Sequence, residues 1–274
     1  MCTVGQVVHT LPSGLPVIGV TSLDNEIYVL RPKECDQVEV YDIMTYLFMR
    51  CLTVPNGRGF TDMTSCEHFR CLYVSNHIDD CVHRLGLDGG ATQWDVDDKL
   101  ACLSVNKLHN VLVTCPFVRR IKEFSSHGDL FREITLPRDI IRPWHAIQLN
   151  SGEFIVCHGI IYDADHRVCK IRVDGRYIVH SHGGQRGSDV GQYDGPWHLA
   201  VDNNEFAFVA DLHNRRVKLL SPTLNYVREV VSRDKLKWRP KRLHLDAGRQ
   251  RLYVADNEWK HNVLKSGRVV VFSV

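Results

Sequence analysis

The sequence predicts an all-β protein: a six-bladed β-propeller, its ring closed by the N-terminal strand joining the C-terminal blade. Three observations carry this. A short apolar run returns six times, at Ile27-Tyr28-Val29, Leu72-Tyr73-Val74, Val111-Leu112-Val113, Phe154-Ile155-Val156, Phe208-Val209-Ala210 and Tyr253-Val254-Ala255. Matching positions 29, 74, 113, 156, 209 and 254 are 45, 39, 43, 53 and 45 residues apart, the period of units built from four short strands. The last unit is one strand short, while the start of the chain offers a strand without a unit.

That unassigned strand is Gln6–Leu11. It is expected to pair with residues 268–273, which closes the ring and removes an exposed sheet edge. Unit one spans 14–58, with a third strand at Val38–Tyr41. Unit two, 59–97, turns at Asp88-Gly89-Gly90. Unit three, 98–138, turns at His127-Gly128-Asp129, and unit four, 139–184, at Asp174-Gly175. Each is hairpin chemistry. Unit five, 185–233, has strands at His198–Asp202, Phe206–Ala210, Arg216–Leu220 and Tyr226–Val231, the last largely alternating apolar and polar. Unit six, 234–274 together with 1–13, has strands at Leu243–Leu245, Arg251–Ala255 and Arg268–Ser273. Residues 1–274 are therefore read as one domain, expected to be monomeric.

An apolar fraction of 44% over 274 residues supplies a sizeable core. No apolar run approaches the ~18 residues of a membrane span. The start, Met1-Cys2-Thr3-Val4-Gly5, lacks the basic and apolar regions of a secretory leader, and no Asn-x-Ser/Thr acceptor occurs. A cytoplasmic protein, or a piece of a longer chain, is expected. Ten cysteines include no Cys-x-x-Cys pair, so reduced, buried thiols are expected; Cys66 and Cys71 flank one turn and can face each other. A net charge of +2 does not demand a nucleic-acid partner.

Unit five carries a more particular pattern. Gly183-Gly184-Gln185-Arg186-Gly187 and Gly191-Gln192-Tyr193-Asp194-Gly195-Pro196 precede Leu199-Ala200-Val201-Asp202, Phe208-Val209-Ala210-Asp211 and Asn214-Arg215-Arg216-Val217. This resembles an NHL repeat, as in the NHL domains of TRIM-NHL-type proteins. Unit six matches at Tyr253–Asp256 and Arg268–Val271, and unit two at Leu72–Asn76 and Val82–Arg84, with Asn76 in place of the usual aspartate. The other units keep mainly the strand pattern. The resemblance implies six blades, and it makes RNA relevant as a ligand because several NHL propellers bind it.

Asp211 and Asp256 end the second strand of their units. Their repetition points to a structural role in holding blades in register rather than to a cation site. His180 and His182 are the only tight histidine pair and lack a third ligand. His145 and His198 occupy matching Pro-Trp-His positions and are expected to pack at the channel mouth. Some six-bladed relatives are enzymes. For amidating lyases, the resemblance places zinc on channel histidines, each directly after the proline that opens the first strand. Here those positions are Trp144, Trp197 and Lys241, and tryptophan cannot ligate zinc. The gluconolactonase and paraoxonase propellers hold a central calcium with Glu, Asn and Asp, and this chain has no Glu at a comparable strand start. No catalytic residue, metal or cofactor is expected.

Sorting loops by face gives the sharpest expectation. Loops that lead into each first strand, and those between second and third strands, share one face of a propeller. That face gathers Arg119, Arg120, Arg142, Trp144, Arg186, Trp197, Arg215, Arg216, Lys235, Lys237, Trp238, Arg239, Lys241, Arg242 and Trp259. The opposite turns are mainly acidic. A basic, tryptophan-rich face on blades four to six suits a protein partner with acidic and apolar anchors. Single-stranded RNA on the same face is one alternative. A metal-dependent hydrolase or lyase in the central channel is another.

Overall fold

The second strand of each unit is apolar on both faces because it is covered on both sides. In the computed structural model, which describes residues 5–32, 37–55, 59–159, 163–260 and 263–274, these strands are almost wholly buried. Residues 1–4, Cys2 among them, and Cys35 lie outside the described residues.

Strand β1 (Val7–Thr10) comes first but belongs to the last blade. Blade one is β2 (Gly19–Leu23), β3 (Glu26–Arg31), β4 (Gln37–Asp42) and β5 (Phe48–Thr53). Blade two is β6 (Phe60–Cys66), β7 (Cys71–Asn76), β8 (Cys81–Gly86) and β9 (Ala91–Asp95). Blade three is β10 (Leu103–Val105), β11 (Val111–Cys115), β12 (Arg120–Phe124) and β13 (Leu130–Thr135). Blade four is β14 (Pro143–Gln148), β15 (Phe154–His158), β16 (Asp165–Ile171) and β17 (Ile178–Gln185). Blade five is β18 (Pro196–Val201), β19 (Ala207–Asp211), β20 (Arg216–Leu220) and β21 (Tyr226–Val231). Blade six is β22 (Arg239–Asp246), β23 (Arg251–Lys260) and β24 (Val263–Ser273), completed by β1. No helix among the described residues is long and apolar enough to cross a membrane.

One apolar cluster fills each of the six spaces between blades. Strand periodicity explains how one strand serves two clusters: Phe208 and Ala210 face blade six, while Ala207 and Val209 face blade four. The outermost strands face solvent and are mostly exposed, as in β5, β9 and β13.

The ring closes as the sequence predicts. Val7 pairs with Phe272, His9 with Val271 and Thr10 with Val270. Two side chains reinforce the joint. Buried Arg31 donates to the carbonyls of Pro12 (3.0 Å), Leu15 and Gly267 (3.1 Å) and pairs with Glu39 at 2.7 Å. The Asn257 amide takes both backbone groups of Val17, at 2.7 and 2.9 Å.

Two expectations shift. First strands start earlier, at Pro196 and Arg239. The glycine segment is not all loop, since Gly183, Gly184 and Gln185 continue β17 against β16. Glycine is required at 183: its φ is +106°, and a Cβ there would meet the His166 carbonyl oxygen at 2.3 Å. Cys66 and Cys71 do face each other across their hairpin, and both are buried free thiols.

Candidate functional site: the axial channel and its mouth

Four first strands begin with the same irregularity. Pro143 pairs with His158 but His145 with Cys157; Pro196 with Asp211 but His198 with Ala210; Pro240 with Asp256 but Arg242 with Ala255; Phe60 with Asn76 but Asp62 with Ser75. The extra residue in each bulge is Trp144, Trp197, Lys241 or Thr61. A bulge re-aims the side chains around it. The residue after it reaches the propeller axis: Asp62, His145, His198 and Arg242. Cys102 and Gly19 hold the corresponding places in blades three and one, opposite Thr114 and Leu30.

This corrects the sequence assignment. The axis is reached by the second residue after the proline, not the first. Histidines therefore do stand in the channel, at 145 and 198, while the tryptophans lie at its mouth. Arg242, grouped with the binding face, is buried instead, because a carboxylate from the other side of the channel draws it inward.

The axial layer is tightly bonded. Arg242 Nε donates to Asp62 Oδ1 at 2.7 Å, and the guanidinium also donates to the Thr61 carbonyl. Asp62 Oδ2 accepts the Leu103 amide at 2.8 Å. His198 Nε2 stands 3.7 Å from Asp62 Oδ2. The rings of His145 and His198 stack at 3.8 Å and 11°. His145 Nδ1 accepts the Leu199 amide and His198 Nδ1 the Leu243 amide, so each histidine ties its blade to the next. With Nδ1 accepting, the proton sits on Nε2, and His145 Nε2 donates to the Leu103 carbonyl at 3.1 Å.

Burial works to raise the Asp62 carboxyl, but Arg242 and His198 outweigh it and hold the group well below the usual carboxylate range. Burial pushes His145 and His198 down; the neighbouring histidine adds to this at His145, and Asp62 opposes it at His198. Burial pushes the Cys102 thiol well up. At neutral pH the layer thus holds one anion, one cation, two neutral imidazoles and a thiol. Asp62, Cys102 and His198 place ligand atoms within 4.8 Å of one another, a spacing a zinc ion accepts. Yet both Asp62 oxygens already accept hydrogen bonds, and a metal would stand beside the Arg242 guanidinium. The arrangement fits an ion-paired plug better than a metal centre. On the far side of the plug, a cavity of about 200 Å³ is lined by Thr21, Thr64, Ser104, Ile147, Ala200 and His244.

The near side opens onto aromatic rings. Trp144 and Trp197 meet edge to face at 4.6 Å and 82°, and Trp197 and Trp259 at 6.4 Å and 75°. Trp259 reaches the group because the β23–β24 hairpin continues past Asp256 to Lys260, pairing Trp259 with Leu264. Lys241 Nζ lies 5.8 Å from the Trp259 ring centre. Burial, then the neighbouring Arg242, brings the Lys241 amine down to about 7. Among the described residues, the indole N–H groups of Trp144, Trp197 and Trp259 have no hydrogen-bond partner.

The rest of the grouped face divides by charge partner. Arg120 pairs with Glu133, Arg142 with Asp163, Arg186 with Asp194 and Arg216 with Asp211. Arg119 donates to the Arg138 carbonyl and Lys235 to the Gly5 carbonyl. Arg215 is not a free cation of the face: it staples the loop at 236–238 through three carbonyls. Lys237 lies 4.4 Å over the Trp238 ring. Among the described residues, Arg239 and Lys241 have no carboxylate partner. His180 is exposed, and His182 instead packs on Tyr193. Asp211 and Asp256 act as the repetition implies: Asp211 accepts from the Asp194 amide and Arg216, and Asp256 from the amides of Lys237 and Trp238 and from Arg268.

Sequence reasoning missed Asp62 and Cys102, since neither follows a proline. Aligning on the second strands finds Asp62, because Phe60 faces Asn76 as Pro196 faces Asp211.

No family model matches the chain, and no curated protein matches it. Solved structures are similar in fold. A streptogramin B lyase is 11% identical with a TM-score of 0.65, covering 97% of this chain and 86% of its own. Virginiamycin B lyase from Staphylococcus aureus, in a catalytically inactive form with quinupristin, is 9% identical at a TM-score of 0.64, covering 94% and 95%. The β-propeller domain of Cps50 (Swd1) from Myceliophteria thermophila is 11% identical at 0.65, covering 98% and 99%. At such identities the likeness establishes the fold, a six-bladed β-propeller, and nothing finer.

Proposed function

We propose that the chain is an NHL-like recognition scaffold, non-catalytic, that binds a protein partner at the channel mouth on blades four to six. One observation carries this reading: three tryptophans with unmatched N–H groups pack in a row there, and the last of them, Trp259, lies beside Lys241, which has no carboxylate partner among the described residues. Tryptophan is among the residues most enriched at the energetic centres of protein interfaces. The inward arginines support a protein over RNA, because pairing with local acids leaves few cations for a run of phosphates. Peptide selection on the immobilised protein tests it, with Lys237→Glu/Arg239→Glu/Lys241→Glu as the counter-selection. Acidic peptides with aromatic neighbours are expected to enrich on the native face. Equal enrichment on both proteins overturns the reading. Binding of single-stranded RNA that collapses with salt favours the nucleic-acid alternative instead.

A channel enzyme is the second reading. It rests on the spacing of Asp62, Cys102 and His198. Stoichiometric zinc in purified protein supports it, and the absence of bound metal after purification in zinc-supplemented medium counts against it.

A further inference from the structure

We infer that the axial mouth is a receptor for a single carboxylate carried on a flat apolar body, with Lys241 as the counter-charge and Trp144, Trp197 and Trp259 as the walls. It deepens the recognition reading but needs only that the mouth binds a ligand, not that the ligand is a protein.

Three buried indole N–H groups stand at this mouth without an acceptor among the described residues, and the Lys241 amine lies 5.8 Å from one of their rings. Buried donors in native proteins are nearly always matched, so the mouth is deficient in acceptors. The rings meet edge to face, with no hydrogen bond fixing their orientation. A ligand oxygen can therefore recruit an indole N–H by a small rotation.

The charge count selects the ligand class. Arg242 follows Lys241 on β22, but Asp62 neutralises it. Of the adjacent pair Lys241 and Arg242, only Lys241 is left without a carboxylate among the described residues, which matches a monoanion. A phosphate monoester would bring a second negative charge into a half-buried aromatic site with nothing to balance it. A carboxylate is also planar, and an aromatic or apolar body behind it packs against the indoles. A side-chain carboxylate of a partner and a free aromatic acid share this chemistry.

Tryptophan fluorescence gives the test, using phenylacetate and its uncharged analogue phenylacetamide. Phenylacetate is expected to bind at least about tenfold more tightly than the amide, the worth of one charge-assisted hydrogen bond. Lys241→Met should remove that preference while keeping the native fold by circular dichroism. A measurement on the unaltered protein guards against a variant that fails to fold: phenylacetate should protect Lys241 from reductive methylation, read by peptide mass. Equal binding of acid and amide, or methylation of Lys241 unaffected by saturating phenylacetate, overturns the proposal. A peptide with one Glu between two Phe, compared with its Gln form, separates the sources. Response to phenylacetate without response to the peptide keeps the carboxylate site and counts against the protein-partner reading.

Discussion

Arg242 and Asp62 stand 180 residues apart in sequence, in blades six and two, and meet at 2.7 Å on the propeller axis. Blade one lies between them and contributes Gly19 at that level, where a Cβ would come within 2.6 Å of Met63 Cβ.

Both partners are wholly buried, so breaking the pair strands a charge. Asp62→Asn should destabilise the fold by about 3–5 kcal/mol, and Asp62→Leu combined with Arg242→Met by clearly less. Urea unfolding of the single and double variants measures this. Equal losses would show the plug to be incidental.

Acid should weaken the fold early. Burial holds His158 and His244 at about 4, and His145 and His198 below their ordinary value. The unfolded chain therefore binds more protons than the native one, and stability falls as pH drops from about 6.5 towards 4. Asp62, depressed in the fold, keeps its contribution until more acidic pH. Thermal melts at about pH 7.5, 6, 5 and 4.5 test the order; a flat profile contradicts it.

Removing residues 1–12 takes β1 from β24 and the Pro12 carbonyl from Arg31. The melting temperature should fall by more than about 5 °C. An unchanged value would refute closure at this joint.

Lys218 is buried on β20, donates to the carbonyls of Val190 (2.8 Å) and Gln192 (2.6 Å), and lies 4.4 Å from the Tyr193 ring centre. Lys218→Met should cost about 1–3 kcal/mol and raise amide exchange across 187–192. Unchanged exchange there would remove its role as the loop's anchor.

Carboxylate binding at the mouth should depend on pH through Lys241, which is brought down to about 7 when the mouth is free. The groups facing it are Arg242, Asp62 and Cys102. Only the protonated amine attracts the ligand, so phenylacetate affinity should fall roughly tenfold between about pH 6 and pH 8. Lys241→Arg should flatten the curve.

The blades were legible because each second strand must be apolar on both faces, and that leaves a run such as Phe208–Ala210 in every unit. The axial layer was less so. His145 and His198 advertise themselves through a repeated Pro-Trp-His, but the bulge decides which residue turns inward, and a bulge leaves no fixed mark in sequence. Asp62 follows Phe60-Thr61, without the proline that opens the other three bulged strands. Which face cations are free was hidden for a different reason. Whether Arg215 is free depends on carbonyls 21–23 residues away, and loop sorting cannot see them.

The hairpin that lifts Trp259 over the channel is made from β23 and β24, and β24 is also the strand that receives β1. One strand therefore spans from the rim of the mouth to the seam of the ring. A guest that clamps Trp259 would brace the seam, and a seam that opens would tilt the lid. The propeller's non-covalent weld and its entrance share a single lever, so occupancy of the mouth and resistance to unzipping should rise together.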